Sequence, residues 1–340
     1  MRSNLRYKIG LIGSGSWATA IAKILTDNHF RINWWMHREE DIRYMQQRRH
    51  NPRYLSSVPF DAKKLMLTSN VEEVIQHSDW IIICVPSAFV RDILAPLPRD
   101  IFGNKSVVSA IKGIIPEENL LLNDYLEKEF KVRLQNYFCI TGPCHAEEVA
   151  LERLSYITIT GKDFTTAKIV AKRFTTPYLK TIVNNDIWGA QFAAVLKNIY
   201  AIGAGIAHSL GYGDNFLSVL IANCANEMAA FNDAVNEKQQ HIYKKRNPFA
   251  SAYLGDLLVT CYSQYSRNRT FGAMIGKGYS VKTIQLEMNM VAEGYYASRC
   301  IYEISERVEA PVPIAAAIYK ILWENLKAAT AFEALEKIFI

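Results

Sequence analysis

Between an apolar run and an amphipathic one, the chain places Gly13-Ser14-Gly15-Ser16-Trp17-Ala18. The run Lys8–Ile12 reads as a buried strand. Trp17–Asp27 has helical spacing, with Ala20, Ile21, Ile24 and Leu25 on one stripe. A G-x-G-x-x-A turn in that position is the first βα unit of a doubly wound sheet that cradles a dinucleotide. Gly13 permits the tight turn and Gly15 lets the backbone approach a pyrophosphate. Ala18 allows close helix–strand packing, and the helix start offers free N–H groups and a positive dipole end. A plain glycine turn is the alternative, and it would not need strand, turn and helix in this order.

Further runs rich in β-branched and aromatic residues continue the sheet: Arg31–Met36, Trp80–Val85, Val107–Ile111 and Tyr137–Thr141. Tyr156–Thr160 and Thr181–Val183 look like later, antiparallel additions. After about Asn185 the pattern becomes helical, over Ile187–His208, Ser218–Val235, Val281–Met288, Ala292–Val308 and Ala315–Lys327. The expected fold is α/β, a Rossmann-like doubly wound sheet (residues 1–185) followed by an all-α substrate domain (residues 186–340). Glu237–Pro248 reads as a polar loop between helices.

Composition narrows the class. Half of the 340 residues are apolar and the net charge is +6, the mix of an ordinary globular protein. The densest basic patch, Lys244-Lys245-Arg246, is too short to indicate nucleic acid. The six cysteines form no C-x-x-C pair and none has zinc spacing to a histidine, so reduced thiols in a cytoplasmic protein and no metal are expected. The start is a poor signal peptide, and the absence of an uninterrupted apolar run of spanning length predicts no membrane span.

An acid normally follows the second strand, about 20 residues past the turn, to bind ribose hydroxyls. Here His37 and Arg38 stand there, with Glu39 next. A cation suits a 2′-phosphate, so NADPH is favoured over NADH, unless Arg38 simply faces water. Lys112 follows the strand Val107–Ile111 at its carboxyl end, where ligands sit in such sheets; it is either there or in solvent. Thr141-Gly142-Pro143-Cys144-His145-Ala146-Glu147-Glu148 has the makings of a helix start, with Cys144 as nucleophile or structural thiol. Lys197, beside Asn198 in an apolar helix, either snorkels or, desolvated, exchanges a proton near neutral pH. Gly203 and Gly205 suggest a close backbone approach, as to the other domain. Asp256 has the position of a helix N-cap. Arg267 and Asn268, after Ser266, offer the forked and amide donors that a phosphate monoester takes. Glu293, after Val291-Ala292, is an acid beside a glycine and has no role by spacing.

Taken in order, "GLIGSGSWATAIAKIL", "NPRYL…VPF", "AIKGI", "ITGPCHAEEVA", "LKNIYAIGAGIAHSLGYGDN", "LGDLLVTCYSQYSRNRTFG" and "VAEGY" resemble the NAD(P)-dependent glycerol-3-phosphate dehydrogenase family, bacterial type, over nearly the whole chain. The resemblance implies an active site between the two domains. It also implies interconversion of dihydroxyacetone phosphate and sn-glycerol 3-phosphate with NADPH or NADH, supplying glycerol phosphate for phospholipid synthesis. It makes Lys197 the proton acceptor and donor, and Lys112 a contact to cofactor and substrate. Asp256, Ser266, Arg267 and Asn268 become substrate-site residues, with Arg267 also touching cofactor. Gly142, Cys144 and Ala146 line the substrate and nicotinamide region. Gly13, Gly15, Ser16, Trp17, His37, Arg38, Tyr54, Val291 and Glu293 fall at cofactor positions. Two departures stand out: the family writes G-P-[ST]-F-A where this chain has Cys144 and His145, and Ala234–Leu254 is longer than usual. A homodimer stays open. So do another two-domain reductase, acting on a β-hydroxy acid or ketopantoate, and a non-catalytic NADPH-binding regulator.

Overall fold

The computed structural model describes residues 7–238, 247–288 and 292–340. Val291, Lys244-Lys245-Arg246 and most of the expected loop Glu237–Pro248 lie outside the described residues. The chain divides into two compact units, Met1–Ile111 with Leu120–Ile187, and Lys112–Asn119 with Trp188–Ile340.

The first unit is built on strands β1 (Ile9–Ile12), β2 (Ile32–Trp35), β3 (Leu65–Thr68), β4 (Trp80–Ile83), β5 (Ser106–Ser109), β6 (Tyr137–Thr141), β7 (Ser155–Gly161) and β8 (Leu179–Asn184). They form one sheet in the order β3-β2-β1-β4-β5-β6-β7-β8. The first six are mutually parallel, and β7 pairs antiparallel to β6. Strand β8 runs parallel to β7 and so, like it, opposite to the first six, as expected for Tyr156–Thr160 and Thr181–Val183. Continuous apolar runs such as β1 and β4 are buried along their whole length, as strands covered on both faces must be. Helices α1 (Ser16–Asp27), α2 (Glu39–Arg48), α3 (Val71–Gln76), α4 (Val90–Leu94), α5 (Leu122–Phe130), α6 (Ala146–Ala150) and α7 (Phe164–Phe174) belong to this unit. The strand order reverses between β1 and β4, so a crevice opens beyond the carboxyl end of β1, where the glycine turn sits.

The second unit is helical: α8 (Ile187–Ser209), α9 (Asp214–Lys238), α10 (Asp256–Tyr262), α11 (Arg267–Gly276), α12 (Val281–Glu287), α13 (Glu293–Val308), α14 (Pro313–Trp323) and α15 (Ala328–Glu336). By length and composition α8 could cross a bilayer, but its most apolar window is completely buried, the state of a core helix. It crosses α11 backbone to backbone. A Cβ on Gly205 would stand 2.0 Å from the Arg269 carbonyl oxygen, and one on Gly272 the same distance from that of Ile202. The close approach foreseen for Gly203 and Gly205 is therefore made inside the helical unit, against α11 and Ile318. Glu227 of α9 fixes a second junction. Its carboxylate accepts from Tyr200 Oη (3.0 Å) on α8 and from the N–H groups of Ile314 (2.7 Å) and Ala315 (3.0 Å) at the start of α14. Burial pushes the Glu227 carboxyl up to about 7 even with these three donors. Replacing Glu227 by Ala strands all three donors, and we expect a loss of about 3 kcal/mol in urea unfolding, at about 1 kcal/mol per bond.

Candidate active site

In the helical unit, one buried carboxylate collects two ammonium groups. Asp256, 1% exposed, opens α10. Its Oδ1 accepts from Lys197 Nζ at 2.5 Å and its Oδ2 lies 3.3 Å from Lys112 Nζ. Lys197 stands on the third turn of α8, 5% exposed, and also donates to Thr260 Oγ1 at 2.9 Å. Thr260 in turn donates to the Asp256 carbonyl at 2.6 Å, which locks its hydroxyl toward the lysine. Asn198 Nδ2 donates to the Lys112 carbonyl oxygen at 2.8 Å and so ties the segment bearing the second cation to α8. Lys197 is thus buried and paired rather than snorkelling. Asp256 does not cap a helix, because Gly255 holds that position and the Asp256 side chain is spent on the lysines.

The electrostatics follow from burial. Desolvation pulls Lys197 down to about 8; Asp256 opposes that fall and Lys112 adds to it. Desolvation works against the Asp256 carboxylate too, but the two lysines together hold it below the usual range. The result is an anion with two cations, one of which can release its proton near neutral pH.

Along α11, Ser266 is the N-cap and its hydroxyl accepts from the Arg269 N–H, so that oxygen serves the helix. Arg267 is exposed. Asn268 Oδ1 accepts from the Gly294 N–H at 2.9 Å, which turns Nδ2 into the end available for donation. Glu293 is the first residue of α13 and half-buried.

In the sheet unit, Gly13 has φ +130°, and a Cβ there would meet the Cys84 carbonyl oxygen at 2.0 Å. Gly15 caps α1 without any side-chain bond, and the space beside it is open, with nothing within 4 Å of a Cβ. Ser16 and Trp17 open the helix, and Trp17 Nε1 is buried with no hydrogen-bond partner. An uncapped helix start beside open space is what a diphosphate needs, so these residues fit a dinucleotide. His37 is exposed, its ring centroid 6.0 Å from that of Trp35. Arg38 is also exposed, its guanidinium only loosely paired with Glu40 at 3.4 Å. Tyr54 is half-buried in the loop after α2. Gly142, with φ +101°, follows β6. Cys144 and Ala146 pack on the sheet core beside α1. All six cysteines are free. Among the described residues no cluster of three or more His, Cys, Asp or Glu could hold a metal.

Sequence reasoning missed Thr260 and gave Asn198 no role. Their spacings to Lys197 and Asp256 on the helices were the available signal.

Two family models cover the chain. The N-terminus of NAD-dependent glycerol-3-phosphate dehydrogenase matches residues 8–167, and the C-terminus of the same family matches residues 186–333. The chain belongs to the NAD-dependent glycerol-3-phosphate dehydrogenase family. It is 33% identical to the glycerol-3-phosphate dehydrogenase [NAD(P)+] of Bacillus pumilus over 96% of this chain and 93% of that one. The Bacillus subtilis protein of the same description is 32% identical with the same coverage. Among solved structures, glycerol-3-phosphate dehydrogenase from Coxiella burnetii superposes with a TM-score of 0.88 at 26% identity, over 97% of this chain and 98% of that one. A ketopantoate reductase from Ralstonia eutropha shares only the architecture, with a TM-score of 0.58 at 12% identity.

For this dehydrogenase the two glycines of the turn make opposite predictions. Gly13→Ala should cost at least about 2 kcal/mol in unfolding experiments, since strain and a backbone clash coincide. Gly15→Ala should leave stability within about 1 kcal/mol. It should nevertheless weaken NADPH binding by about tenfold, because its methyl group enters the space left for the diphosphate.

Proposed function

We propose that this chain reduces dihydroxyacetone phosphate to sn-glycerol 3-phosphate, reversibly, with NADPH or NADH. The observation that carries the reading is the buried Lys197–Asp256–Lys112 constellation in a chain of this family. When bound, the reduced nicotinamide supplies the hydride. Lys197 gives its proton to the oxygen of the ketone as charge develops there. Two of its three N–H groups are held by Asp256 and Thr260, which aims the remaining one. Lys112, with its side chain 17% exposed, is the more accessible cation and stabilises the developing alkoxide. Asp256 keeps both ammonium groups in place. Arg267 and the Asn268 amide hold the phosphate, so that binding energy remote from the carbon atom orients the ketone.

The turn Gly13–Ser16 with Trp17 takes the diphosphate of the cofactor, and His37, Arg38 and Tyr54 take its adenosine end. Arg38 supports NADPH over NADH, because its guanidinium is exposed and weakly paired. By family position Gly142 and Cys144, the latter without a hydroxyl, belong to the substrate side, and Ala146 and Glu293 to the cofactor. Work in the cytoplasm, supply of glycerol phosphate for phospholipid synthesis and a homodimeric state rest on family membership.

The test follows NADPH absorbance with dihydroxyacetone phosphate against a non-phosphorylated ketone. Oxidation with the phosphorylated ketone alone supports the reading, and oxidation with neither leaves a binding protein. Lys197→Ala should lower turnover by about 100-fold or more with the Kd for NADPH unchanged. In the reductive direction the ammonium form of Lys197 is the active one, so kcat should fall as pH rises through about 8. In the oxidative direction the neutral amine is required, and kcat should rise through the same value.

A further inference from the structure

The loop after α2 contains a side chain whose whole hydrogen-bonding capacity is spent around the glycine turn. Asn51 is 1% exposed. Its Nδ2 donates to the Ser14 carbonyl oxygen at 3.0 Å and to Thr19 Oγ1 at 2.8 Å. Its Oδ1 accepts from the N–H groups of Arg53 at 3.0 Å and Tyr54 at 3.2 Å. Two donors and two lone pairs are all that a carboxamide has. The hydroxyl of Thr19, fixed by Asn51, donates to the Gly15 carbonyl oxygen at 2.9 Å. Trp34 Nε1 donates to the Gly13 carbonyl oxygen at 2.6 Å.

Three successive carbonyl groups of the turn are therefore held by side chains: Gly13 by Trp34, Ser14 by Asn51 and Gly15 by Thr19. A trans peptide is planar, and its N–H points opposite to its C=O. Fixing the carbonyls of residues 13, 14 and 15 therefore fixes the directions of the N–H groups of Ser14, Gly15 and Ser16. The Gly15 carbonyl is also held by the Thr19 N–H of the helix at 2.9 Å, but without Trp34 and Asn51 the planes of the Gly13 and Ser14 carbonyls would have to be ordered when an anion binds. Asn51 is the centre of the arrangement, because it holds one carbonyl directly and steadies the hydroxyl that holds the next. Through its Oδ1 it also anchors the segment that carries Tyr54.

We infer that Asn51 is a positioning residue for the cofactor, pre-aiming the backbone donors of the turn at the diphosphate. The inference rests on the reading of that turn as the diphosphate cradle. It predicts an effect shared by every ligand with that group: NADPH, NADH and ADP-ribose lose affinity together, whatever they carry at the 2′ position.

The experiment titrates intact wild-type protein, Asn51→Ala, Thr19→Val and the double variant with these three ligands, using intrinsic fluorescence. Melting curves and steady-state kinetics accompany the titrations. For Asn51→Ala we expect Kd raised about tenfold for all three ligands, the size of one to two lost hydrogen bonds. At saturating NADPH, kcat and the KM for dihydroxyacetone phosphate should stay within about twofold of wild type. A merely structural asparagine would instead lower the melting temperature and the active fraction, and so kcat, while the folded molecules bound cofactor normally. Thr19→Val should weaken binding about threefold, and the double variant should bind little worse than Asn51→Ala, because both act through one network. A folded Asn51→Ala protein with unchanged Kd overturns the proposal. If Asn51→Ala does not fold, Thr19→Val decides, and an unchanged Kd there overturns it as well. Wild-type protein that binds none of the three ligands would sink the cradle reading itself, an outcome distinct from normal wild-type binding with an unaffected variant.

Discussion

A carboxylate removed from water costs several kcal/mol unless partners meet its charge, and Asp256 is met on both oxygens. That double pairing lets an acid and two lysines persist in an environment as apolar as α8. It also sets their chemistry. Without the anion, Lys197 would be driven down further by its own burial and by the neighbouring cation. Were the lysine itself in water, it would keep its proton far above neutrality. The position near 8 sets burial and Lys112, which lower it, against Asp256, which raises it.

The surrounding fold serves that balance. The glycine contacts of α8 with α11, and of Gly294 with the Asn198 carbonyl, bring helix backbones close enough to exclude water around the lysine. Glu227 ties α8, α9 and α14 together one turn beyond Lys197. Asp256 and Glu227 each place a carboxylate where an apolar core would otherwise have sufficed, and in both each oxygen is given a donor.

Much of this could be read from the chain. The buried strands announced themselves as unbroken apolar runs, and the turn by its neighbours. A single charge inside "AAVLKNIYAIGAG" pointed to Lys197, because the only other way to accommodate it is to reach for solvent. What escaped was decided by tertiary contact. Leu65–Thr68 is a short, half-buried edge strand flanked by lysines, with too little pattern to declare itself. Helices α10 and α11 are short, seven and ten residues, and were visible only as motifs. Asp256 at a helix start looks the same in sequence whether it binds backbone amides or lysines. Asn51, Thr260 and Asn198 are ordinary polar residues until their partners are known, since an amide or a hydroxyl carries no record of the carbonyl or amine it will find.

One topological detail has a consequence for how such a protein can be inherited. Lys112–Asn119 lies in the sequence between β5 and α5 yet belongs with the helices. Its lysine meets an aspartate 144 residues further along the chain. During synthesis that cation leaves the ribosome long before its counter-charge exists. Recombination at the boundary before Trp188 would transplant the helices but leave one of the two ammonium groups behind in the donor gene. The helical half is thus not an interchangeable cassette, and a chimera of two relatives works only if both parents offer the same eight-residue loan from the first half.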